Sequence, residues 1–135
     1  SVFNFFDPDY RIATDTGNTG LFAPEFQILT EATYTGMLNL HDSMVWNSVG
    51  GAPVANTPAP VLDVSRLVTL AEAGNHAGMV DQLDTLLFAG NLGQPAEQAM
   101  VRMLDRLAAI NESPTNRAKS LVLLALASPE FAIQR

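Results

Sequence analysis

Between Pro95 and Asn111 the apolar residues Ala99, Met100, Met103, Leu104 and Leu107 recur at steps of three and four, while Gln98, Arg102 and Arg106 fall on the opposite side. That period predicts an amphipathic helix with one stripe turned to a core. The same period over Phe26, Leu29, Thr33, Met37, Leu40 or His41, and Met44 predicts one long helix from Pro24 to about Trp46. Its opening proline loses no needed N–H, and Glu25 sits at the positive end of the helix dipole. Val64, Leu67, Val68 and Ala71 share a face of a shorter helix, capped by Asp63, running to about Ala73 and stopped by Gly74. Asn75 caps the next, with Val80, Leu83 and Leu87 inward and Asp81, Gln82 and Asp84 outward, until "AGNLGQP" ends it. Ser113 and Pro114 start a helix carrying "LVLLALA", Leu121 to Ala127, which is apolar on every face and is therefore expected at the centre, around Leu124. Ser128, Pro129 and Glu130 repeat this start chemistry for a last short helix or turn. Phe131 there, like Phe26, is expected to be buried.

Two stretches escape the helical period. Residues 1–22 are aromatic at first and then rich in Gly, Thr, Asp and Asn, which reads as an extended aromatic arm, Phe3 to Tyr10, followed by a loop. Residues 50–62 include "GGAPVANTPAP", whose prolines and glycines neither propagate helix nor join a central strand, and form an exposed internal connector. The expected fold is all-α: an irregular bundle of about five helices over residues 1–135 as a single helical domain, with the arm laid across it. Three exposed phenylalanines in "FNFF" would each forfeit roughly 1.5–3 kcal/mol that burial returns.

Composition narrows the partners. The chain of 135 residues is 47% apolar and 16% charged, as befits a packed globule. Its net charge of −7 repels phosphate backbones and anionic membranes, so nucleic acid is not an expected partner. The longest apolar run falls far short of the ~20 residues of a spanning helix, so no membrane insertion is expected. No cysteine is present, which removes thiol nucleophiles, disulfides and cysteine-ligated metal sites. The abrupt opening "SVFNFF", without initiator methionine or signal segment, reads as a piece of a longer protein.

The Asp15-Thr16-Gly17 tripeptide matches the neighbourhood of an aspartic protease aspartate, but that chemistry needs two such loops in a β-rich body. Here it reads as turn chemistry. Asp7, Asp9, Asp15 and Asn18 offer oxygen ligands for calcium, although Arg11 stands where a third ligand would be and no closing glutamate follows. His41 and His76 lie in different helices, and neither has a ligand partner at helical spacing within its own helix. His41 is expected to be partly buried and His76 to decorate a surface. Glu31 lies mid-helix among Ile28, Leu29 and Tyr34, so it needs a partner such as Arg11 or Arg135, or a raised pKa. With Asp9 and Asp15 it completes the set of candidate catalytic carboxylates. No cofactor motif occurs.

"SVFNFFDPDY", "LFAPEFQILTEAT", a helical middle and the ending "LVLLALASPEFAIQR", in that order, resemble the C-terminal part of a bacterial family catalogued as domain of unknown function 1800. The resemblance covers essentially the whole chain and about the last third of a usual member. It implies a mainly helical fold and an exported protein, periplasmic or extracellular, and it carries no established activity. Family phrases fall on Phe3, Asn4, Phe5, Phe6, Asp9, Tyr10, Pro24, Glu25, Phe26, Glu31, Ser128, Pro129 and Arg135, and "GGAPVANTPAP" matches nothing.

Three functions follow as expectations. The first is a non-catalytic helical module for assembly or partner binding, its partner being the missing N-terminal portion of its own parent or another envelope protein. It calls for an apolar surface patch without a convergent polar pocket. The second is part of an exported hydrolase-like enzyme, which calls for clustered carboxylates in a cleft. The third is calcium-dependent adhesion.

Overall fold

The fold is taken from a computed structural model, described here at residues 7–10, 30–47 and 61–132, the side chains of Glu31 and Ala132 excepted. All regular structure among these residues is helical: α1 (Glu31–Asn47), α2 (Ser65–Glu72), α3 (His76–Leu83), α4 (Gln94–Ala109), α5 (Pro114–Leu126) and α6 (Pro129–Ala132). A π-helical turn, Asp84–Phe88, continues α3. The fold is thus the all-α irregular bundle that the periodicities predict. The chain divides into two compact units, Ser1–Asn39 and Leu40–Arg135.

In the first unit, residues 7–10 are not extended. Tyr10 N–H donates to the Asp7 carbonyl (3.1 Å), closing a turn with Asp at its first position and Pro8 at its second. The rest of the arm, Phe26 and the loop through Asp15 and Asn18 lie outside the described residues. The long first helix of the apolar period is interrupted at Thr30, and its part before that residue lies outside the described residues. Thr30 is not helical, and its hydroxyl accepts from Thr33 N–H (3.2 Å) while Thr30 N–H donates to Thr33 Oγ1 (2.8 Å). This reciprocal box satisfies two amides, and the Thr30 carbonyl takes the first helical bond from Tyr34 (2.9 Å). The helix therefore starts at Glu31. An apolar stripe reports a buried face, but not where the backbone bonds begin.

In the second unit local side chains set the starts of α2, α3, α5 and α6, whereas α4 starts at Gly93 without one. Asp63 Oδ1 accepts from Ser65 N–H (2.9 Å), Asn75 Oδ1 from Gly78 N–H (3.0 Å), and Ser113 Oγ from Asn116 N–H (3.1 Å). Ser128 Oγ accepts from Phe131 N–H (3.3 Å) and donates to the Ala125 carbonyl (2.8 Å), which ties α6 to the end of α5. Helix ends are equally specific. Past α2, Gly74 adopts φ +67° and Asn75 N–H reaches back to the Leu70 carbonyl (2.9 Å). Past α4, Asn111 takes the same left-handed role at φ 57°, with Glu112 N–H on the Leu107 carbonyl (2.9 Å).

The π turn ends less comfortably, because Ala89 holds φ 53° with a Cβ in the way. Ala89→Gly is expected to raise stability by about 0.5–1 kcal/mol in urea unfolding, relief of the left-handed strain outweighing the extra freedom glycine gives the unfolded chain. A loss of stability would show that the contacts of the methyl outweigh the strain.

The core of the second unit is Met79, Val80, Leu104, Ala118, Leu121 and Ala125, all fully buried, with Leu67, Ala71, Leu83, Phe88 and Met100 around them. Helix α5 is central, packing on α2, α3, α4 and α6. Within it the expectation fails at one residue: Leu121, Val122 and Ala125 are buried, but Leu124 is 36% exposed. Neighbours cover three sides of the helix, and an apolar run cannot indicate which side stays open. Ala99, at the edge of the α4 stripe, is likewise exposed, whereas Met100 and Leu104 are buried and Gln98, Arg102 and Arg106 face solvent as expected.

The π turn widens the helix by one residue, so that Phe88 reaches the core beside Leu83 while Leu86 is left outside. Phe88 meets the half-buried Phe131 edge to face at 6.4 Å, and His41 meets Phe131 in the same manner at 6.1 Å. Asp84, expected outward, instead accepts Leu92 N–H on Oδ1 (2.8 Å) and pins the loop that follows.

Candidate functional site

An apolar groove of about 400 Å³ lies among the described residues of the second unit. Its floor is core: Val45 from the end of α1, Leu67 from α2, Leu83 from α3 and Val122 from α5, each less than a tenth exposed. Its rim is wet. Val61 is 77% exposed, Leu86 67% and Leu62 39%, so one side of the groove is the irregular lead into α2 and the other is the π turn. Both rims follow from local backbone. Asp63 caps α2 and holds residues 61–64 off the helix, and the π turn directs Leu86 outward where Phe88 turns in.

Three polar side chains join this lining: Asp63, Arg66 and Gln82. The amide of Ser65, and then its hydroxyl, hold the Asp63 carboxyl below its ordinary value, so it stays anionic. Arg66, one turn on, is exposed and makes no hydrogen bond or ion pair with any described residue. Asp63 does not claim it, because the carboxylate is directed to the start of the helix.

A second polar cluster lies between α3, α4 and α5. His76 Nδ1 is 2.7 Å from Asp105 Oδ1, and Arg117 Nη1 is 3.2 Å from His76 Nε2. A guanidinium only donates, so Nε2 accepts and the ring proton sits on Nδ1, facing the carboxylate. The His76 side chain is 11% exposed and Asp105 62%. His76 is therefore no surface ornament, contrary to expectation: its partners lie 29 and 41 residues away, beyond the reach of any spacing rule. With both ring nitrogens engaged, it has no open position from which to take a proton from a substrate. His41, half-buried as expected, keeps Nδ1 buried without a partner, and so does Arg117 at Nε.

Of the candidate carboxylates, only Asp7 and Asp9 have side chains among the described residues. Asp7 and Asp9 lie exposed at the Asp7–Tyr10 turn, and Asp15 and Asn18 lie outside the described residues. Glu31 is the first residue of α1, and its side chain lies outside the described ones. No three His, Asp or Glu side chains among the described residues converge in a metal-binding arrangement. No helix of the described residues is long and apolar enough to cross a membrane. Comparison with protein-family models, curated proteins and solved structures finds no match.

Sequence reasoning missed the groove. Val61, Leu62 and Leu86 were visible as apolar residues beside breaks in the helical period, but only the packing of α2 against α5 turns them into two lips of one cleft.

Proposed function

We propose that this chain is a non-catalytic helical module that acts by binding, its apolar groove receiving an apolar group of another molecule. The observation that carries this reading is the groove itself: a cleft of about 400 Å³ whose floor is packed core and whose lips, Val61 and Leu86, are large apolar side chains held in water. Surfaces of that kind mark interaction sites. The occupied ring of His76 favours binding over hydrolysis. The resemblance to the domain of unknown function 1800, with the envelope location it implies, belongs to the same proposal.

The neutral fluorophore N-phenyl-1-naphthylamine tests it. The protein is expected to bind this reporter saturably at one site, and the double variant Val61→Glu, Leu86→Glu to lose at least about tenfold in affinity with its circular dichroism and melting temperature unchanged. Absence of saturable binding, or full binding by the folded variant, overturns the reading.

A further inference from the structure

We infer that the groove is a site for a single-chain amphiphile with a monoanionic carboxylate head, of the free fatty acid class, the tail lying on Leu67, Leu83 and Val122 and the head on Arg66. This rests on the reading of the groove as a binding site. The volume, about 400 Å³, falls within the 300–1,000 Å³ of small-ligand sites. Eleven of the fourteen lining residues are apolar and three are polar, which discriminates between occupants. A polypeptide brings an amide and a carbonyl with every residue, and this lining has few groups to satisfy them. An acyl tail brings none.

Arg66 then selects the head. Its guanidinium, unclaimed by any described residue, presents the paired donors that match a carboxylate. The chain's net charge of −7 opposes an anion at long range, but that field is screened over about 8 Å at physiological ionic strength, whereas a contact pair is not. Asp63 remains anionic three residues from Arg66 and offsets part of the guanidinium's attraction for any anion, so the preference for a charged head falls on the contact pair with Arg66.

Displacement of N-phenyl-1-naphthylamine by dodecanoate, dodecan-1-ol and dodecyl phosphate, each below its aggregation threshold, tests the assignment. Dodecanoate is expected to bind about tenfold more tightly than the alcohol and at least as tightly as the phosphate. Arg66→Gln should remove the preference over the alcohol without moving the melting temperature, and Asp63→Asn should tighten dodecanoate and the phosphate while leaving the alcohol unchanged. Equal affinity for dodecanoate and dodecan-1-ol, an undiminished preference in Arg66→Gln, or tighter binding of the phosphate overturns the head-group assignment while the groove reading stands. Failure of the reporter to bind saturably overturns the groove reading as well.

Discussion

Leu121→Ala is expected to lower the unfolding free energy by about 2–5 kcal/mol, because it empties a fully buried site on the helix that α2, α3 and α4 all pack against. Three residues on, Leu124→Ala should cost about 1 kcal/mol or less, since that side chain is already 36% exposed and leaves no enclosed cavity. The comparison is sharp because both leucines belong to one apolar run in one helix and differ only in what faces them. Urea unfolding of the two variants, at unchanged denaturant slope, measures the difference. Similar costs for the two would mean that α5 is oriented otherwise than described.

His76→Ala should cost about 1–3 kcal/mol, the range for stranding a partly buried hydrogen-bonding partner. The stranded group is Arg117, whose Nε already lacks a partner and whose Nη1 would lose its acceptor. Asp105→Ala removes the other end of the same chain of contacts, but at 62% exposure water replaces the carboxylate, and the expected cost is about 0–1 kcal/mol. The order of the two losses, read from chemical denaturation, is the test. A larger loss for Asp105 than for His76 would place the weight of the cluster on the solvent side, against the burial described.

The parts of this fold that could be read from the chain are those decided within four residues. Asn75, Ser113 and Ser128 cap helices where their side chains predict, because a cap needs only the amides two or three positions ahead. Gly74 ends α2 for a similar reason. Thr30 shows the limit of that reasoning. The start of α1 is fixed by the reciprocal Thr30 and Thr33 bonds, which look like nothing special in the letters.

The side of α5 left open at Leu124, the π turn at Asp84–Phe88 and the meeting of His76 with Arg117 all depend on partners far along the chain. The groove depends on the same long-range packing. Local chemistry therefore predicted the helices well and their shared surfaces poorly, and the candidate site is made of shared surface.

The central position of α5 also governs how the molecule is made. A ribosome delivers the apolar faces of α2, α3 and α4 before the helix that covers them, so Leu67, Met79 and Leu104 wait, unshielded, until Pro114–Leu126 has emerged. During that interval the nascent polypeptide is sticky, and a chaperone or rapid translation of the last stretch would shorten its exposure.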